Sequence, residues 1–125
     1  MKNVANKTET LKSGASAEAK SPLRGVGGLG LAIQGYEGSF HQVAAQLFHG
    51  KQVKVIPCAT FREVAKIATN KKESNGGVMA IENSIAGSIL PNYFLLQDYH
   101  FTIAGELYLP IHMHLLALPG VKLSD

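Results

Sequence analysis

Cysteine is nearly absent. The chain has one, Cys58, so no disulfide framework can form within its 125 residues, which fits a reducing compartment. No apolar run reaches the roughly 18 residues needed to cross a bilayer, which argues against a membrane partner. Behind Lys2 there is no apolar h-region of the kind a secretory signal carries. The Ser-, Ala- and Lys-rich leading stretch holds a single arginine, Arg24, whereas transit peptides are arginine-rich. The expected location is therefore cytoplasmic. Charged residues are only 17% of the chain and apolar ones 46%, enough for the core of one small domain. The basic surplus is missing from the body of the chain. Residues 1–28 carry Lys2, Lys7, Lys12, Lys20 and Arg24 against Glu9 and Glu18, which accounts for the whole formal charge of +3. Nucleic acid is not an expected partner, because a binder would carry its basic residues as a patch on the fold.

Residues 1–28 also lack hydrophobic periodicity, and we read them as a disordered tail or linker. From Leu29 onward short apolar runs alternate with amphipathic segments. Residues 29–33 (LGLAI) form a candidate buried strand. Ser39 then opens a helix that places Phe40, Val43, Ala44, Leu47 and Phe48 on one face, and Gly50 ends it. Residues 54–56 (KVI) form a second strand stopped by Pro57. Thr60 and Glu63 form a capping box on a second helix, whose apolar face is Phe61, Val64, Ala65 and Ala68. A polar linker leads to a third strand, 77–81 (GVMAI), followed by a loop, 82–88, and a third helix with Pro91 in its first turn. Such βαβαβα alternation predicts an α/β fold with a mostly parallel sheet and helices on both faces. Beyond it, Leu107, Leu109, Ile111, Met113 and Leu115 alternate with Tyr108, His112 and His114. This predicts a long strand bent at Pro110 in a mixed sheet. The last residues read as the approach to a further helix, so the fold is expected to be incomplete at the C-terminus.

In open α/β sheets, ligands bind beyond the C-terminal strand ends where strand order reverses. With the common order 2-1-3, that point lies between the first and third strands, whose loops are QGYEGS (34–39) and ENSIAGS (82–88). Each combines glycines with small hydroxyls ahead of a helix start, which suits a small anion. Neither loop matches the dinucleotide fingerprint or the P-loop, so neither cofactor is implied. Similar loops also cap helices in proteins that bind nothing there. His112 and His114 form an H-x-H pair without a third ligand at suitable spacing, so metal ligation is disfavoured against a polar surface role. His41 and His49 read as solvated or capping. Cys58 reads as a small packed side chain, not an activated nucleophile. Glu37 and Glu82 fit either an acid–base pair or ordinary loop solvation.

Three stretches together resemble prephenate dehydratases. IQGYEGSFHQVAAQLF is similar to the family's Gly-x-x-Gly-(Ser/Thr)-(Phe/Tyr) opening, and GVMAIENSIAGSILPNYFLL to its strand into Glu-Asn-Ser-x-x-Gly. GELYLPIHMHLLALPG is similar to the strand that follows. The resemblance covers about residues 29–125. His41 departs from the pattern, since many members have serine after the aromatic residue.

The resemblance implies a lyase that converts prephenate to phenylpyruvate, losing carbon dioxide and water, on the route to phenylalanine. It implies no metal and no organic cofactor, and a homo-oligomer at full length. Arogenate or a broader cyclohexadienyl substrate is the alternative, and a non-catalytic small-anion-binding lobe is another. The implied architecture is a three-layer lobe of a type II periplasmic-binding-protein-like fold, with residues 29–125 as the first of two lobes. By the motif match, Asn83 and Ser84 hydrogen-bond substrate, Glu82 orients the site, and Gly87 admits close backbone approach. Ser39, Phe40 and Ser88 complete the substrate-binding set. The Thr-Arg-Phe motif that carries the family's proton donor in the second lobe does not occur among these residues, nor does the Glu-Ser-Arg-Pro signature of its ACT domain. The chain alone is accordingly expected to be inactive.

Overall fold

Leu31 and Ile33 pack into one apolar cluster and the intervening Ala32 into another, as expected of a strand buried on both faces. A computed structural model of the chain describes Lys2–Ala5 and residues 28–124. In chain order the elements are β1 (Lys2–Ala5), β2 (Gly30–Gln34), α1 (Phe40–His49), β3 (Val55–Cys58) and α2 (Phe61–Thr69). β4 (Ser74–Asn83), β5 (Gly87–Ser88), α3 (Leu90–Asp98) and β6 (Gly105–Tyr108) follow. The sheet runs β3-β2-β4-β1-β6, with β5 folded back on the end of β4. β2 pairs parallel with β3 and β4, while β1 is antiparallel to both β4 and β6. This is the mixed α/β sheet read from the sequence, with the predicted order of its first three parallel strands.

Helices cover both faces. Ala44, Ala45 and Phe48 of α1 pack with Leu31, Ile33 and Val78 on one side. Val64 and Ala65 of α2 and Leu95 of α3 pack with Ala32, Met79 and Ile81 on the other. Ile33, Val64 and Val78 are the largest side chains fully buried, each contributing roughly 1.5–3 kcal/mol by the usual scale for such burial. α2 lies close against β4 because residue 77 is glycine. A Cβ there would stand 3.0 Å from Val64 Cγ1 and 3.2 Å from the Ala32 carbonyl oxygen.

Several expectations change. Lys2–Ala5 is a strand inside the sheet, so the tail reading fails there; Gly28 is described as well, and residues 1 and 6–27 lie outside the described residues. Composition missed β1 because four residues are too few to show a period, and its pairing is set by edges far away in sequence. Pro57 does not stop the second strand but lies within β3, opposite Ile33. That is tolerated because β3 is the sheet's edge, where one side of the strand needs no ladder donor. β4 takes in Ser74–Gly76 from the predicted linker and Glu82–Asn83 from the predicted loop. On α1 the buried stripe is His41, Ala44, Ala45 and Phe48, while Phe40, Val43 and Leu47 are exposed. The long final strand shrinks to β6. Leu109 is still buried, but Met113 and Leu115 are exposed, since past Pro110 the residues join no described strand.

Candidate functional site

β2 and β4 are parallel neighbours, so the loops leaving them emerge at one end of the sheet. Ser39 and Asn83 therefore stand at the same edge, at the reversal of strand order between β2 and β4.

The first loop is a tight turn. Gly35 and Gly38 have φ of 99° and 87°, which L side chains rarely adopt. The Gly35 N–H donates to the Cys58 carbonyl at 2.9 Å, pinning the loop to the end of β3, and the Ser39 N–H donates to Tyr36 O at 3.1 Å. Ser39 caps α1: its Oγ accepts from the Gln42 N–H at 3.3 Å, and Gln42 Oε1 accepts from the Gly38 N–H at 2.6 Å. This reciprocal pair is a capping box offset by one residue. Phe40, at the first helical position, is exposed on the outer face of the turn.

The second loop is a hairpin. Glu82 pairs with Ser88 and Asn83 with Gly87 across β4 and β5. Asn83 Oδ1 accepts from the N–H groups of Ile85 and Ala86, at 2.8 and 3.2 Å, and so holds the turn. Its carbonyl oxygen is thus engaged internally, and the amide nitrogen is the part suited to meet a ligand oxygen. Ser84 and Ser88 are exposed, and Gly87 has φ of 75° with open space where a Cβ would lie. Ser88 does not lead into α3 as a cap. It lies in β5, and the cap position is Ile89, without a side-chain hydrogen bond. The Ile89 N–H is instead donated back to the Ile81 carbonyl at 2.7 Å.

Glu82 is half-buried, and its Oε1 accepts from the Tyr93 hydroxyl at 3.0 Å. Tyr93 was not among the sequence candidates. Eleven residues separate the pair, and only the packing of α3 against β4 joins them. Asn92, also missed, is buried and donates from Nδ2 to the Ala80 carbonyl at 2.7 Å, fastening α3 just below Glu82. Its signal was its place on the Asn92–Leu95 stripe, one helical turn long.

His41 overturns the reading of a solvated or capping side chain. It is buried edge-on against Phe61, with ring centroids 5.4 Å apart, and Nε2 has no hydrogen-bond partner among the described residues. Burial pushes its pKa down, and a hydrogen bond with the Gln34 backbone opposes that. His49 is half-buried on Phe48 and is lowered to about 4 by desolvation. Cys58 is buried and free, and desolvation first, then the nearby Glu63 carboxylate, raises its thiol. A thiol held neutral is a packed side chain and not a nucleophile. His112 and His114 are exposed, and among the described residues no group of three His, Cys, Asp or Glu side chains is placed to hold a metal. Among the same residues no helix is long and apolar enough to cross a membrane.

The model of the prephenate dehydratase family matches residues 31–125. Arogenate dehydratase/prephenate dehydratase 6, chloroplastic, of Arabidopsis thaliana is 40% identical over 82% of this chain and 24% of its own length. Arogenate dehydratase 1 of Petunia hybrida is 42% identical over 75% of the chain and 22% of its own length. Arogenate dehydratase 3, chloroplastic, of Arabidopsis thaliana is 39% identical over 82% of the chain and 23% of its own length. The chain thus spans about a quarter of the length of the curated relatives it matches. No solved structure matches it. With both loops leaving the same end of the parallel strands β2 and β4, and the family model covering residues 31–125, the chain belongs to the prephenate dehydratase family.

Proposed function

We propose that residues 29–125 form the first lobe of a dehydratase that converts prephenate to phenylpyruvate with loss of carbon dioxide and water. The supporting observation is that the Ser39 turn and the Glu82–Ser88 hairpin follow the parallel neighbours β2 and β4 at the same end of the sheet. Prephenate is a dianion, and the two turns bring donors that suit its carboxylates: the Asn83 amide nitrogen, the Ser84 and Ser88 hydroxyls, and backbone N–H groups. Gly87 leaves the backbone open to close approach. Phe40 offers an apolar ring at the rim of the first turn.

Glu82 takes an orienting role in this reading. Its carboxylate is held by the Tyr93 hydroxyl, so it presents a fixed charge at the end of β4. The departing hydroxyl needs a proton donor, and rearomatisation of the ring supplies much of the driving force. The donor belongs to a second lobe in this proposal, and the chain by itself is inactive. The complete enzyme is a cytoplasmic homo-oligomer that needs no metal or organic cofactor.

A second reading, arogenate as substrate, is favoured by the names of the relatives, which include arogenate dehydratases. The two substrates differ by an amino against a keto group, away from the ring that loses water. A chimera tests both. Residues 29–125 would replace the matched segment of the Arabidopsis relative 40% identical to this chain. The expected result is turnover of prephenate above that of arogenate, with none from the 125-residue chain. A folded chimera inert toward both substrates would sink the assignment. Turnover by the chain alone would refute the second-lobe donor.

A further inference from the structure

β2 stays beside β4 only as far as the Ile33–Val78 pair, whereas β4 runs on to Asn83. The end of β4 therefore extends past its parallel neighbour, and polar groups there need partners that β2 no longer provides. The start of α3 supplies them. Asn92 is buried and donates from Nδ2 to the Ala80 carbonyl at 2.7 Å. The Ile89 N–H donates to the Ile81 carbonyl at 2.7 Å. The Tyr93 hydroxyl donates to Glu82 Oε1 at 3.0 Å. Successive residues Ala80, Ile81 and Glu82 are thus each held by a group from the α3 end of the chain.

The hairpin is tied into the same unit. Glu82 pairs with Ser88 across β4 and β5, and Ile89 alone separates β5 from the first residue of α3. From Ser88 the chain passes through Ile89 to Tyr93, whose hydroxyl comes back to the Glu82 side chain. A ring of contacts closes around the root of the loop that carries Asn83. A phenol suits that task. Its body is a rigid apolar ring with a polar tip, mounted on a helix that Asn92 anchors to β4. Its acceptor is a carboxylate, which makes the bond stronger than one between neutral groups.

Glu82 immediately precedes Asn83, so this bond fixes the strand end from which the Asn83 amide is presented. We propose that Tyr93 is a positioning residue for the Glu82–Ser88 hairpin, holding Asn83 in place for substrate through Glu82. The link to substrate rests on reading the two turns as a binding site. The coupling of α3 to the hairpin stands apart from that reading and from the choice between prephenate and arogenate.

A double-variant cycle on the full chain, read by amide hydrogen exchange, tests the coupling. Tyr93→Phe keeps the ring and removes only the hydroxyl. It should speed exchange of the Ile85, Ala86 and Ile89 amides by about threefold to tenfold, the span of one net hydrogen bond, with Leu31–Ile33 unchanged. Glu82→Gln keeps a carbonyl oxygen for the phenol and should retain most of the protection, whereas Glu82→Ala should lose it. In the Glu82→Ala background Tyr93→Phe should add nothing. An equal further loss there, or no change in Tyr93→Phe alone, would overturn the proposal. The chimera in the Arabidopsis relative gives the functional readout. In it Tyr93→Phe should raise the KM for prephenate by about threefold to tenfold and leave kcat within about twofold, as for a group that holds a binding loop. A fall in kcat at unchanged KM would overturn the positioning role. An inert parent chimera would defeat the assignment of the site, while the exchange cycle still decides whether Tyr93 sets the hairpin.

Discussion

Asn83 illustrates how a polar loop residue can serve structure and recognition with different atoms. Its Oδ1 holds the N–H groups of Ile85 and Ala86, while its nitrogen is the part available in geometry to an anion. Asn83→Ala should destabilise the chain by about 0.5–1.5 kcal/mol, the usual net worth of such bonds, and Asn83→Asp should restore most of it by keeping the acceptor. Chemical denaturation measures both; equal losses would remove the turn-holding role. The histidines give a pH signature. His49 is depressed from 6.5 to about 4, and His41 is depressed as well. Between those values the unfolded chain binds more protons than the folded one, so stability is full above pH 6.5 and falls as pH drops toward 4. His49→Gln should flatten the midpoint of thermal unfolding between pH 6.5 and 5, leaving only the slope due to His41. An unchanged slope would show that His49 does not carry it.

At the scale of elements, α2 and β4 meet at Gly77 with no room for a methyl group. Gly77→Ala should cost about 1–3 kcal/mol through overpacking against Val64, Ala68 and the Ala32 carbonyl. Crystallography of the variant should show α2 displaced from the sheet; a change under 0.5 kcal/mol with α2 in place would contradict the contact. The element pattern also shows what local sequence can and cannot say. The Thr60–Glu63 capping box was legible, and Thr60 Oγ1 does accept from Glu63 N at 3.2 Å. The Ser39–Gln42 pair has the same spacing and cap function. The face of α1 was not legible, because Phe40–Val43–Leu47 and His41–Ala44–Phe48 are both helical stripes. The sheet chose the one with small residues, which lets the helix axis come close to β2.

At the scale of the whole molecule, a run of exposed apolar side chains among the described residues follows β6. Met113, Leu115, Leu116, Leu118 and Leu123 are all exposed, more than single scattered apolar residues would explain. The chain should self-associate with rising concentration and bind an apolar dye. Leu115→Lys with Leu116→Lys should suppress both while shifting stability by less than about 0.5 kcal/mol, as for substitutions on open surface. Light scattering decides it: association unchanged by the two lysines would place the sticky surface elsewhere.

Strand–helix alternation, both caps of the first two helices and the two glycine-bearing turns follow from residues within a few positions of one another. Hydrophobic period, capping chemistry and glycine's backbone freedom act at that range, so they can be read directly from the chain. The Tyr93–Glu82 bond, the burial of His41 and the entry of Lys2–Ala5 between β4 and β6 depend on partners distant in sequence. Pairing of backbone edges and packing of side chains across layers decide these. Neither leaves a local mark, because what is satisfied in each case is a group on another element.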